Sequence, residues 1–392
     1  MSSPSWIART GGFAPRLAQY YAAYFVGLGV QLPFFPVWLA AKGLEPEMIG
    51  LVLAAPMLIR VIAVPVMTRE ADRHDALRAA IIIGSAATCL GYGLVGLVDS
   101  AIAILAIFSL FALVFTPTMP LVDAYALRGL ARYGGAYGSI RLWGSASFIV
   151  GSFGAGLLLH AMTPQNLIWL IAGGYGLTAV IALGLAPISS GEPRSAGSLR
   201  SGTLLRSPVF LAVIGSASLI QASHALLYGF ATIAWEAAGL STITIGALSA
   251  LAVAAEIVLF AVARRLPASF GPTMLLILGA AGAVLRWIVM AFDPPALLLP
   301  ALQCLHALSF AATHLGAMGF LNRAAPPGLA ATAQGYYAIV TGVSMSIATA
   351  SSGLLYATYG NAGYAVMALI AAAGGALAVY AHRRWNDPDR TM

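Results

Sequence analysis

The 392 residues are 60% apolar and only 8% charged, against roughly 45–50% and roughly 25% in soluble domains. A chain of this composition cannot hide its apolar surface in a water-soluble fold, so its solvent is a lipid bilayer. The net charge of +7 is spread over basic residues standing singly or in pairs, a pattern that excludes a nucleic-acid-binding run. The two cysteines, Cys89 and Cys304, both fall inside apolar blocks and support neither a disulfide framework nor a metal site.

Apolar blocks of about 20 residues match a hydrocarbon core about 30 Å thick. Read in chain order, they predict helices at 16–41, 47–68, 77–98, 101–127, 137–160, 165–187, 207–236, 242–263, 273–292, 296–322, 331–358 and 362–382. Arg9 and Arg16 precede the first block, but that block is too long for a signal core and ends in no small-residue cleavage site, so it reads as a retained span. The polar stretch 188–206, rich in Ser, Gly, Pro and Arg, reads as a cytoplasmic linker. It divides an N-terminal six-helix bundle, 1–187, from a C-terminal one, 207–392.

Orientation follows from the 20 Lys and Arg. With both termini cytoplasmic, sixteen arginines fall in inside segments and Lys42 alone in the outer loops, as the positive-inside bias requires of an even number of spans. The halves repeat: Gly43-Leu44 before Ile49-Gly50 returns 196 positions later as Gly239-Leu240 before Ile245-Gly246, and Glu256 stands at the same offset from Arg60. Parallel six-span repeats are the signature of major facilitator carriers.

Charges placed deep in a bilayer cost at least about 2.5–3.5 kcal/mol and face a partner or a wet path. Here they are Arg60, Asp123, Arg141, Glu256 and Arg286, with Glu236 nearer the outer interface. Asp123 and Arg141 flank a short connection at similar depth, which predicts an ion pair. Glu256, a carboxylate at mid-membrane, can titrate. Helical spacing aligns Tyr20, Tyr24, Gln31 and Trp38 in the first helix and Gln221, His224, Tyr228 and Trp235 in the seventh. It does the same for Gln303, His306, Thr313 and His314 in the tenth and for Gln334, Tyr337, Thr341 and Ser344 in the eleventh. Such polar-aromatic stripes either line a shared wet cavity or glue helices together, and their concentration in helices one, seven and ten favours the cavity. Gly138, Ser145 and Ser152, seven apart on helix five, suit close helix packing. There is no HExxH and no glycine-rich phosphate cradle with its lysine, so no enzymatic chemistry is expected.

Several stretches resemble the phenylpropionate permease family of the major facilitator superfamily, related to the lactose permease and nucleoside symporters. They are Gln31-Leu-Pro-Phe-Phe-Pro, Tyr137-Gly-Ser-Ile-Arg-Leu-Trp-Gly-Ser145, Ser223-His-Ala, Glu256 with its alanine-rich flank, Leu285-Arg-Trp and His314-Leu-Gly-Ala-Met. The loop Thr68-Arg-Glu-Ala-Asp72-Arg-His-Asp-Ala-Leu-Arg78 resembles the superfamily's motif between helices two and three, with Thr68 and Asp75 where glycines are usual.

The resemblance implies an all-α membrane protein of twelve transmembrane helices in two pseudo-symmetric six-helix bundles. It implies a proton-coupled symporter of a small solute, working by alternating access in a bacterial cytoplasmic membrane as a monomer, driven by the proton gradient with no cofactor. Asp123 and Arg141 would then be substrate contacts, Glu256 the helix-eight carboxylate, Arg286 the helix-nine arginine and His314 the helix-ten histidine. No carboxylate follows His314 where the lactose permease has one, so Glu256, Asp123 and His314, in that order, are the candidate proton carriers. The expected substrate-binding set is Tyr24, Gln31, Asp123, Arg141, His224, Tyr228, Arg286, His306, His314 and Gln334. Three deep arginines against two deep carboxylates favour an anionic substrate, an aromatic monocarboxylate, over a sugar or nucleoside, and symport is weighed against uncoupled facilitation.

Overall fold

The structure, a computed structural model, describes residues 12–188, 202–265, 267, 270–326 and 329–385. Of the expected linker 188–206, residues 189–201 lie outside the described residues, as do Arg9 and Arg390, and Gly202–Leu205 form a single helical turn just before the seventh span. Every regular element among the described residues is helical. In order these are α1 (Phe13–Ala41), α2 (Pro46–Arg73), α3 (Leu77–Gly96), α4 (Ala101–Tyr133), α5 (Tyr137–Ala161) and α6 (Leu167–Leu183). The second series begins with α7 in two pieces (Pro208–Ala222 and Ala225–Ala237), then α8 (Thr242–Val262) and α9 (Pro272–Met290). The tenth, α10, has three segments (Leu299–Cys304, a π-helical turn at Ala307–Ala312, and Thr313–Ala324), and α11 (Ala330–Tyr359) and α12 (Tyr364–Arg384) follow. Among the described residues, eleven stretches are long and apolar enough to cross a membrane; the last, 54 residues long, holds both α11 and α12, which makes the twelve crossings.

Burial runs opposite to that of a water-soluble protein. Leu97, Ile102, Leu110 and Leu297 are at least 70% exposed, while Arg286, His224, Gln303 and Ser309 are at most 4% exposed. In hydrocarbon the apolar side chains are the solvated ones, and helices satisfy their own backbone.

Two compact units emerge, one bounded as Met1–Pro193 with Trp235–Ala250, the other as Arg194–Ala234 with Leu251–Met392. Inside the first, α1 packs on α5 and α6, and α3 on α6. Inside the second, α7 packs on α11 and α12, and α9 on α12, the same pairings six helices on. The repeat reaches single residues. Gly43 and Gly239 end α1 and α7 at φ +81° and +87°, the left-handed cap that glycine adopts without strain. In both caps the next leucine's N–H reaches back into the helix, Leu44 to Leu39 at 3.2 Å and Leu240 to Trp235 at 2.9 Å. Gly84 in α3 has no room for a Cβ against Thr118 in α4, and Gly279 in α9 none against Thr313 in α10. Each pair is 195 residues from its counterpart.

Four expectations change. The stretch from Thr68 to Arg73 is the end of α2, not a loop, and α4 runs on to Tyr133, because Arg, Glu, Ala and Leu propagate a helix beyond the apolar block. The turn is left to His74–Ala76, with Asp75 at φ +51°, the conformation for which glycine is usual there. Arg128 of α4 donates to Asp72 at 2.7 Å across this end. On α5 only Ser152 of the three small residues is buried, donating to the Gly29 carbonyl of α1 at 3.0 Å; Gly138 has open space around it. Finally, α7 breaks at Ser223-His224 and α10 widens into its π turn, neither of which apolar periodicity signals.

Candidate functional site

The polar residues gather into two clusters, one per unit. In the first, Asp123 of α4 is half-buried and its Oδ1 accepts the hydroxyls of Tyr21 (2.6 Å) and Tyr137 (2.9 Å). Arg141, one turn beyond Tyr137 on α5, does not form the expected ion pair with Asp123. Its guanidinium lies over the Phe25 ring at 4.2 Å and the Tyr21 ring at 5.5 Å. Two hydroxyls satisfy the carboxylate, and the aromatic face of α1 holds the cation. Tyr24 is 6% exposed and meets Tyr175 edge-on, and the Tyr175 hydroxyl donates to Gln31 Oε1 at 2.6 Å. Tyr24, Gln31, Asp123 and Arg141 thus share one aromatic-lined neighbourhood, and Arg60 on α2, though exposed, lies within electrostatic reach of Tyr24.

The second cluster centres on Arg286 of α9, 1% exposed. Its guanidinium donates to Gln303 Oε1, to His306 Nδ1 at 3.2 Å and to Ser309 Oγ at 3.5 Å, and it lies 4.8 Å from the Trp287 ring centre. These acceptors are all neutral, and Nε has no hydrogen-bond partner. Burying a cation with neutral partners leaves most of its desolvation cost standing. Because the arginine can only donate, His306 Nδ1 must accept, and a neutral ring then carries its proton on Nε2. That nitrogen lies 3.8 Å from Glu256 Oε2 of α8, whose side chain is 19% exposed. The carboxylate, imidazole and guanidinium therefore form a line in which a proton added at His306 Nδ1 would displace the arginine.

His224 sits at the break in α7 and is fully buried, its Nε2 3.0 Å from Ser309 Oγ and its ring stacked on Tyr228 at 5.7 Å. It also meets His306 edge-on at 5.5 Å. Two expected residues are not brought into this hydrogen-bond network: His314 stacks on Phe310 and meets Phe260 edge-on, and Gln334 is exposed on α11. Sequence reading missed Ser309, Trp287 and Ser223 as members. Ser223 and Trp287 stood inside quoted motifs, but a serine in an apolar span such as Ser309 is too common a packing residue to carry a signal.

Twelve crossings, a six-helix repeat and a polar cluster within each unit define a membrane transporter of the major facilitator type. The MFS_1 like family model matches residues 15–366, and the chain belongs to that family. It is 31% identical over 364 residues to the probable 3-phenylpropionic acid transporter of Escherichia coli (strain K12), covering 91% of this chain and 94% of the relative. It is 26% identical over 329 residues to the maltose permease of Geobacillus stearothermophilus, 82% of each chain. Among solved structures, a mutant form of the nucleoside transporter NupG superposes with a TM-score of 0.84 at 15% identity, over 95% of this chain and 100% of that one. A bacterial homolog of the human lysosomal transporter Spinster, inward-facing and unoccupied, gives 0.71 at 13% identity, over 98% and 100%. These likenesses establish the fold and the family.

Proposed function

We propose that the chain is a proton-coupled symporter that imports a small aromatic monocarboxylate, such as a phenylpropanoid acid, across a bacterial cytoplasmic membrane by alternating access. One observation carries the reading: Arg286 is a buried guanidinium whose acceptors Gln303, His306 and Ser309 are all neutral. A carboxylate substrate supplies the missing charge, and a bidentate carboxylate fits the guanidinium fork. The resemblance to a probable 3-phenylpropionic acid transporter supports the same substrate class. Proton coupling is assigned to Glu256: its protonation removes the acceptor facing His306 Nε2, which changes how firmly His306 holds Arg286 and so which conformation is favoured. Asp123 and His314 are the second and third candidate proton carriers. The sixteen arginines of the inside segments support termini on the cytoplasmic side.

The test is uptake of radiolabelled 3-phenylpropionate into proteoliposomes. An imposed inward acid gradient is expected to drive accumulation above equilibrium, and a protonophore to abolish it. Glu256→Gln is expected to retain exchange and to lose uphill accumulation. An accumulation ratio that stays at one under the gradient would sink symport in favour of facilitation, and competition by maltose or a nucleoside but not by benzoate would move the substrate class. Undiminished accumulation in Glu256→Gln would remove that carboxylate from coupling.

A further inference from the structure

The break in α7 contains no proline. The His224 N–H bonds the Gln221 carbonyl at 3.1 Å, one residue short of the i−4 bond, so the Ile220 carbonyl drops out of the helical ladder. Side chains take it instead: Ser223 Oγ donates to it at 2.7 Å and His224 Nδ1 lies 3.1 Å away. Polar side chains inserted into the ladder are a recognised cause of a kink.

Both of these side chains are held from α9 and α10. The Trp287 indole N–H donates to Ser223 Oγ at 2.9 Å. His224 Nδ1 faces only carbonyls, those of Ile220 and Gln221, so it carries the ring proton, and Nε2 of the neutral ring accepts from Ser309 Oγ at 3.0 Å. Ser309 in turn accepts from Arg286 Nη1 at 3.5 Å. Two chains of hydrogen bonds, starting from the neighbouring residues Arg286 and Trp287, thus end on one carbonyl at the break. Ser223, His224, Arg286, Trp287 and Ser309 are each at most 1% exposed, so water does not substitute for a lost link.

We propose that Ser309 and His224 are positioning residues that make the geometry of the α7 break depend on what Arg286 is holding. The 3.5 Å bond to Ser309 is the longest that Arg286 makes and the first to yield when the guanidinium turns toward a bound carboxylate. Ser309 then loses its donor, its bond to His224 weakens, and the cap on Ile220 loosens. That last sequence rests on Arg286 being the anion contact; the relay from Ser309 to the break does not.

The experiment is hydrogen–deuterium exchange across residues 216–230 of the full-length protein in nanodiscs, with 3-phenylpropionate as the probe, alongside transport kinetics. Ser309→Ala removes one oxygen atom. His224→Asn keeps a donor for the local carbonyls but is too short to reach Ser309. Without ligand, each variant is expected to speed exchange at the break about fivefold, the effect of one neutral hydrogen bond. The double variant is expected to be no faster than either single.

In the parent, 3-phenylpropionate is expected to alter exchange at the break. In both variants that response is lost while the Kd changes little and the maximal rate falls. Multiplying effects in the double variant, or a ligand response that survives Ser309→Ala, would overturn the relay. So would a Kd that rises in step with the lost rate, which would make these residues substrate ligands. If 3-phenylpropionate fails to bind the parent, the substrate assignment falls, while the ligand-free comparison still decides the relay.

Discussion

The same scaffold positions hold a dry aromatic cluster in the first unit and a polar one in the second. At an offset of 195 residues, Gly91, Tyr92, Phe108 and Phe111 correspond to Arg286, Trp287, Gln303 and His306. In the first unit the Tyr92 ring lies 5.9 Å from Phe108, 5.1 Å from Phe111 and 5.4 Å from Tyr175, and the Phe111 ring fills the space above Gly91. In the second, that space is taken by a guanidinium and its neutral acceptors. Since one copy of the repeat packs well without any charge, the fold does not require Arg286. A buried cation of this kind is costly to keep, and its retention points to transport.

The strongest way to break this comparison is to rebuild the second cluster on the pattern of the first, with Arg286→Gly, Gln303→Phe and His306→Phe together. The triple variant is expected to fold, to elute as a single species and to melt no lower than the parent. Its uptake of 3-phenylpropionate should fall on the order of 100-fold, as befits the loss of a charged contact worth about 1.5–3 kcal/mol together with its proton partner. Aggregation would show that the dry arrangement cannot be transferred. Retained uptake would show that Arg286 is not the substrate contact.

A narrower test asks whether the repeat is as faithful as its geometry. A Cβ added at Gly84 would meet Thr118 Oγ1 at 2.5 Å, and one at Gly279 would run into Thr313 Oγ1. Both hydroxyls are held on carbonyls four residues back, Val114 and Ser309, at 2.8 and 2.9 Å. Gly84→Ala and Gly279→Ala are each expected to cost about 1–3 kcal/mol by overpacking, read as a lowered melting temperature in detergent. Thr118→Ala and Thr313→Ala should each relieve the matching lesion and not the other. Rescue across the pairs, or a glycine that accepts alanine without loss, would dissolve the equivalence.

Much of this was legible in the chain itself. Apolar blocks and the recurrence of Gly43 at Gly239 carry the helix count and the repeat because both reflect constraints that act along the sequence: bilayer thickness and a left-handed cap. Arg286, Glu256 and His306 stood out because charged and titratable residues are rare in spans. Partnership was not legible. Whether Arg141 turns to Asp123 or to Phe25 depends on competition from Tyr21 and Tyr137, which are distant in sequence or unremarkable in type. The break in α7 follows from two side chains bonding one carbonyl, and the π turn of α10 from a single shifted hydrogen-bond register. Neither leaves a mark on hydropathy.

The smallest expected effect separates charge from geometry in the first unit. Both tyrosine hydroxyls donate to the same oxygen of Asp123, Oδ1, so Asp123→Asn can keep both bonds on its amide oxygen while losing the charge. Charge-assisted bonds are stronger than neutral ones, and the stability cost should stay near about 1 kcal/mol or below, measured as a small shift in melting temperature. Because the fold is preserved, the transport readout is clean: with Glu256 carrying the proton, Asp123→Asn should still accumulate 3-phenylpropionate under an acid gradient, at a reduced rate. Exchange without accumulation in Asp123→Asn, matched by normal accumulation in Glu256→Gln, would move the coupled proton to the first unit. It would also divide the work between the two units, leaving Arg286 to bind and Asp123 to drive.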